Sequence, residues 1–346
     1  MINFYPGPSK IYPGIAKYFE EGLTSGLFSM NHRSTAFHEF YNSFKTTFRT
    51  YFNIPDDYEV SILSSATEAW EVINQSFSNQ EFHHYFNGAF GKKWKDYNVL
   101  LNNKVNTHSF DYTEALNTSV IKNKEGIICL THNETSNGTY INDSILIEIR
   151  TNNPNALIAI DSTSILGGFT FDFNNFDICF SSVQKCLGQP SGMGIIITSP
   201  KVKGFLNQST THYNDLGNIL KNSEKSETTH TPNSSGIYTL YRTLQDINPL
   251  DEINKRTKLR FETLISTCIE SNLSIVSPNK EICSPTVICI NLDGRRFTEV
   301  ENIALDHQII IGKGYGVHKE TSFRLANFPA HNDEDIKTLI SFLKSL

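Results

Sequence analysis

The sequence predicts an α/β protein in which a mainly parallel sheet comes first and a smaller α+β domain follows. Three observations predict it. Short, continuously apolar runs recur through the first two thirds of the chain, as strands buried on both faces require. Helix-like segments separate those runs. After a polar stretch at 207–235 the pattern changes to longer helical periods around one further strand. A length of 346 residues exceeds what one core usually holds, so a large and a small domain are expected.

Along the chain, the first dozen or so residues, with Pro6, Gly7, Pro8, Pro13 and Gly14, form an extended arm. Strands are expected at 60–63, 82–86, 99–101, 127–130, 157–160, 178–180 and 194–198. The stretch 207–235 is rich in Asn, Ser, Thr and Lys and reads as a long loop. Beyond it, 237–244 and 255–271 read as helices, 286–291 as a strand and 333–346 as a closing helix. The division expected is an arm at 1–15 packing with the small domain, a large domain at 16–240 and a small domain at 241–346.

Composition narrows the function classes. A formal net charge of -6 leaves no basic excess to track phosphates, which speaks against nucleic acid. No apolar run approaches the roughly 20 residues that span a bilayer, and the N-terminus lacks a signal-peptide pattern. The six cysteines form no C-x-x-C pair and suit free thiols in a reducing, cytoplasmic setting. The histidines, including His83-His84, lack metal spacing, so no metal is expected. No G-x-G-x-x-G follows the first strand, which speaks against a nicotinamide enzyme. Gly312-Lys313-Gly314-Tyr315-Gly316 does not fit a nucleotide loop and reads as a flexible loop near the substrate.

In open α/β sheets, ligands bind beyond the carboxyl ends of the strands. Five such ends carry reactive residue types. Asp161 follows one strand, and Gln184-Lys185 follows the next, 24 positions on. Ser65-Ala66-Thr67 opens a helix whose free N–H groups suit a phosphate. Phe90 offers a flat face, and Thr135 a hydroxyl. A lysine amine, a carboxylate, a phosphate cup, an aromatic face and a hydroxyl are the parts a pyridoxal-phosphate site needs. Each alone is a weak signal, and the weight comes from the set in this order.

The motifs resemble those of class V, fold-type I aminotransferases over essentially the whole chain. Ile160-Asp161-Ser162-Thr163-Ser164-Ile165-Leu166-Gly167-Gly168 resembles the segment at the pyridine nitrogen. Gln184-Lys185-Cys186-Leu187-Gly188-Gln189-Pro190-Ser191-Gly192 resembles the segment of the Schiff-base lysine. Asn133-Glu134-Thr135-Ser136-Asn137-Gly138 and Ser65-Ala66-Thr67-Glu68-Ala69, with Ala66 in place of glycine, resemble two further elements. The resemblance implies a large three-layer α/β/α domain with a mainly parallel seven-stranded sheet. It implies pyridoxal 5'-phosphate on Lys185, with Asp161 at the ring nitrogen. Ala66, Thr67, Phe90, Thr135 and Gln184 would bind the same cofactor. It also implies a homodimer with shared active sites, in which Thr231 and His230 reach the neighbour's cofactor phosphate. The phosphoserine branch usually has Asn at the place of His230.

Small amino and keto acids are the implied substrates. Arg324, in Ser322-Phe323-Arg324-Leu325-Ala326-Asn327, sits where the family keeps its α-carboxylate arginine. His32-Arg33 and His318-Lys319 are similar to the distal-phosphate elements of the phosphoserine branch, which serves serine biosynthesis; the second has Lys for Arg and is one residue closer to Arg324. The lysine segment is more similar to the alanine–glyoxylate branch. The expectation is a ping-pong transaminase on phosphoserine and 2-oxoglutarate; alanine–glyoxylate or serine–pyruvate transamination is the alternative. A cysteine desulfurase would need a mobile thiol, and Cys283 and Cys289 flank or lie within a strand. A catalytically silent cofactor-binding protein stays open as well.

Overall fold

The computed structural model describes residues 1–207 and 212–346. The chain runs β1 (Ile2–Asn3), α1 (Ile15–Thr24), α2 (Thr35–Phe52), β2 (Glu59–Leu63), α3 (Ala66–Ser76), β3 (Glu81–Phe86), α4 (Ala89–Leu100) and β4 (Lys104–Ser109). It continues through β5 (Ile127–Thr131), β6 (Asn133–Glu134), β7 (Thr139–Tyr140), α5 (Asp143–Asn152), β8 (Leu157–Asp161), β9 (Ile178–Ser182) and β10 (Gly194–Thr198). Next come α6 (Leu216–Ser223), α7 (Ser234–Asp246), α8 (Leu250–Glu270), β11 (Val287–Asn291), α9 (Phe297–Asp306), β12 (Ile309–Ile310), β13 (Gly312–Lys313), β14 (Ser322–Ala326) and α10 (Asp333–Ser345).

Seven strands form the central sheet in the order β2-β10-β9-β8-β5-β3-β4. Only β10 runs antiparallel to its neighbours; the pairings β9-β8, β8-β5, β5-β3 and β3-β4 are parallel. Side chains alternate across a strand, and the sheet uses both faces. Ile128, Leu130, Ile158 and Ile160 point into one core with Phe37, Phe44, Ile149 and Leu240. Ile127, Cys129, Leu157 and Ala159 point into another with Ala69, Ile73, Trp94 and Ile219. Helices therefore cover both faces, giving a three-layer α/β/α arrangement.

The local sequence explains the helices that flank the sheet. Ser34 caps α2 by accepting a hydrogen bond from the Phe37 amide. Phe37, Tyr41, Phe44, Phe48 and Phe52 then make a single buried stripe. A further core joins α8, β11, α9, β14 and α10 through Leu264, Ile290, Val300, Phe323 and Leu339. Phe4 of the N-terminal arm belongs to that core. The arm is stitched there by β1 pairing with β12 and by a 2.8 Å bond from the Ala326 amide to the Phe4 carbonyl.

Four expectations need correction. Residues 99–101 are not a strand; they end α4, and the strand is β4, which follows. As the sheet's edge strand β4 is half-exposed and polar, so it has no apolar run to read. The stretch 207–235 is not one long loop, because α6 lies inside it. Asp215 caps that helix, and Leu216, Ile219 and Leu220 pin it to the core; three apolar side chains in a polar stretch hid it. Residues 208–211 of that stretch lie outside the described residues. Gly312-Lys313 is not loop but β13, paired to β14. Finally, α8 begins at Leu250 rather than 255, with Pro249 as its N-cap.

Candidate active site

Strand direction brings the site together. The strands β3, β5, β8 and β9 are parallel, and β2 shares their direction because both β2 and β9 oppose β10. Their carboxyl ends therefore open on one edge of the sheet, where they line a cavity of about 230 Å³. Ala66, Thr67, Phe90, Thr135, Asp161, Gln184, Lys185 and Arg324 all border it.

Asp161 ends β8 and is only 5% exposed. The Trp70 indole donates to its Oδ2 at 3.0 Å, and the Thr163 amide to its Oδ1 at 3.0 Å. Burial pushes the Asp161 carboxyl above its usual range, while Thr163, Lys185 and Trp70 pull the other way. Lys185, three residues past β9, is buried as well. Its Nζ donates to Thr135 Oγ1 at 3.1 Å and lies 5.2 Å from the centre of the Phe90 ring. Burial is the main force on this amine and lowers it to about 8, against the attraction of Asp161. The arm closes over its stem: at Gly7, whose φ is +133°, a Cβ would meet Lys185 Cε at 2.8 Å.

Arg324 approaches from β14 and is 4% exposed. Its Nε donates to the Lys313 carbonyl at 2.9 Å and its Nη1 to the Thr135 carbonyl at 3.3 Å. Among the described residues Nη2 has no hydrogen bond, so a fixed cation keeps one donor for a ligand. The Tyr315 ring stacks on Phe90 at 5.0 Å and lies 5.4 Å from the Arg324 guanidinium.

The start of α3 supplies the remaining wall. Ser65 Oγ takes the Glu68 amide and Ser182 Oγ the Ala66 amide, at 3.1 and 2.7 Å. The Thr67 amide has no partner among the described residues, and Thr67 borders the cavity. A free N–H at a helix start, a buried carboxylate, a buried amine and a flat aromatic ring fit a phosphorylated pyridine aldehyde.

Six residues singled out in the sequence do not border this cavity within one chain. Arg33 is ion-paired with Glu227, and His32 sits in the turn beside it. His318 lines a separate cavity with Phe110 and Val317, edge-on to Tyr112 at 4.8 Å. Lys319 and Thr231 are exposed, and His230 is half-buried beside Thr229. Conversely, Trp70, Lys93 and Tyr5 border the cavity and were not singled out, while Tyr315 comes to it from the glycine-rich segment expected near the substrate. Trp70 carried a usable signal, since it lies four residues after Ala66 on one helix face.

Burial pushes the Cys283 and Cys289 thiols up to about 11 and about 12. A thiol held neutral and buried is a poor nucleophile. Among the described residues, no group of three or more His, Cys, Asp or Glu could hold a metal ion. No helix there is long and apolar enough to cross a membrane.

A family model described as aminotransferase class-V matches residues 6–329. A solved phosphoserine aminotransferase from Cytophaga hutchinsonii is 31% identical, with a TM-score of 0.92, covering 99% of this chain and 98% of that one. The phosphoserine aminotransferase of Rhodococcus opacus is 25% identical over 97% of this chain and 92% of its own length. The alanine–glyoxylate aminotransferase from Nostoc sp. superposes with a TM-score of 0.85 over 99% of this chain and 94% of that one; at 21% identity the likeness is one of fold.

Proposed function

The chain belongs to the class-V aminotransferases, which depend on pyridoxal phosphate, and we propose that it moves the amino group of phosphoserine to 2-oxoglutarate. One observation carries the transaminase site: the Lys185 amine, the Asp161 carboxylate and the Arg324 guanidinium border one cavity. The phosphoserine preference draws its support from the relatives that bear that name.

In this reading Lys185 holds the cofactor, and Asp161 supplies the negative charge for its ring nitrogen. The Thr67 amide, Ala66 and Gln184 face its phosphate, Phe90 its ring and the Thr135 hydroxyl its ring oxygen. When bound, pyridoxal phosphate supplies an aldehyde that condenses with amines and a ring that takes up the electron pair released at Cα. Arg324 Nη2 grips the substrate's α-carboxylate and turns its Cα toward Lys185. The Lys185 Nζ, its pKa lowered to about 8 by burial, would take the Cα proton and deliver it to the carbon that was the cofactor's aldehyde. Tyr5, Pro6 and Gly7 of the arm exclude water above it.

The chain divides in this reading into arm 1–15, large domain 16–240 and small domain 241–346. The separate core of α8–α10 with Phe4 supports the split. A homodimer completes the site: His230, Thr231, His32 and Arg33 lie outside their own chain's cavity and reach a neighbour's. Six free buried thiols suit a cytoplasmic setting.

A second reading, alanine–glyoxylate transamination, is favoured by one observation. His32, Arg33, His318 and Lys319 do not border the cavity of their own chain. The experiment adds phosphoserine, alanine or serine to the cofactor-loaded protein and follows the cofactor's absorbance. Phosphoserine converting the cofactor at least about 100-fold more efficiently supports the first reading, since two charge-assisted bonds are worth that much. Efficient conversion by alanine with none by phosphoserine would establish the second.

A further inference from the structure

We propose that Glu134 is a positioning residue that caps α4 from the end of β6 and thereby sets the Phe90 ring against the cofactor. The proposal rests on the reading of Phe90 as the ring's stacking partner.

Helix α4 begins without a cap of its own, because its N-cap is Gly88. Its first N–H groups would be orphans. They are met instead by residues more than forty positions further along. The Ala89 amide donates to Ser136 Oγ at 2.9 Å. The Phe90 and Gly91 amides both donate to Glu134 Oε2 at 3.1 Å. The other oxygen, Oε1, takes the Ser136 amide at 3.0 Å and the Ser136 hydroxyl at 2.6 Å. The carboxylate is 1% exposed, and every one of these partners is a donor.

A second observation shows that the approach is built in. A Cβ on Gly88 would meet Glu134 Cγ at 2.2 Å, so only glycine lets the helix start come this close. A negative charge at this end also suits the helix dipole. The next residue, Thr135, bonds Lys185 through its hydroxyl and Arg324 through its carbonyl. One short segment thus registers the aromatic wall against the amine and the guanidinium. Neither Glu134 nor Ser136 borders the cavity, so their action passes through Phe90.

The test uses Glu134→Gln, which keeps the shape but turns an amide NH2 toward groups that are themselves donors. Pyridoxal phosphate is titrated into cofactor-free wild type, E134Q, F90L and the double variant. Hydrogen exchange at the Phe90 and Gly91 amides is read on the cofactor-free protein. E134Q is expected to exchange faster at those two amides and to bind the cofactor about tenfold or more weakly, the loss of a charge-assisted cap. In the F90L background the same change should cost little further affinity, because the two residues act as one unit. Should E134Q not fold, Ser136→Ala removes one cap and one donor and should show the same pattern several-fold more weakly. Wild-type affinity in either variant, or an undiminished loss in the F90L background, overturns the proposal. Wild-type protein that takes up no cofactor overturns the proposed function first, and the two failures are distinct.

Discussion

The strand ends around Asp161 and the loops around Arg33 and Lys319 both carry charge, and they hold it in opposite ways. At the strand ends the charged groups are almost fully buried and bonded to fixed partners, as Asp161 is to Trp70 and Thr163. Out there, Arg33 on its turn meets Glu227, and Lys313 at the end of β13 meets Glu320, both in reach of solvent. A surface pair is screened and worth at most about 1 kcal/mol. A buried group loses the water that would stabilise its charge, which is why the Lys185 amine is lowered to about 8 in spite of the nearby Asp161. The difference teaches where chemistry can be tuned: in a dry cavity whose walls cannot reorient, rather than on its charged approaches.

The sharpest attempt to break that contrast is Lys185→Ala. It should reduce transamination to background, because no other described lysine is buried in the cavity. Trapping with borohydride on another lysine, with turnover retained, would remove Lys185 from its role. Next comes Asp161→Asn, which keeps the shape and deletes the buried charge. A loss on the order of 100-fold in kcat is expected, the size seen when one fixed electrostatic partner of a transition state is removed. Near-normal kcat would mean the buried carboxylate does not act on the cofactor ring.

Arg324→Ala against Arg33→Ala compares the two regions directly. Losing the buried guanidinium should raise KM for every amino donor by roughly 10–100-fold, the worth of a charge-assisted bond. Losing Arg33 should leave alanine untouched and weaken phosphoserine alone. Equal effects on both donors would erase the distinction. The smallest expected effect concerns pH. Cofactor uptake needs the neutral Lys185 amine, so its rate should rise about tenfold per pH unit up to about 8 and then level. Asp161 raises that value, so Asp161→Asn should move the profile to lower pH. A profile that is flat from pH 6 to 9 would contradict the buried-amine picture. The same sign governs stability. Its folded value lies below that of the unfolded chain, so stability of the cofactor-free protein should climb with pH between about 8 and 10.5.

Much of this was legible in the residues themselves. Six of the seven sheet strands announced themselves as buried apolar runs, and Asp161, Lys185 and Thr135 stood where such runs end. The edge strand β4 and the helix α6 did not, since one half-exposed strand and one helix with three apolar anchors leave no distinctive period.

What the sequence by itself determined is the set of strand ends and the reactive residues on them. A strand buried on both faces writes its own apolar pattern, and parallel neighbours must all end on the same edge. What only the tertiary structure decided is which distant groups join them. Arg324 and Tyr315 enter from the region of β13 and β14, Gly7 from the arm, and Glu134 reaches the start of α4. Such meetings are set by how helices and sheets pack, and no local period in the chain encodes which donor a carboxylate more than forty residues away will find.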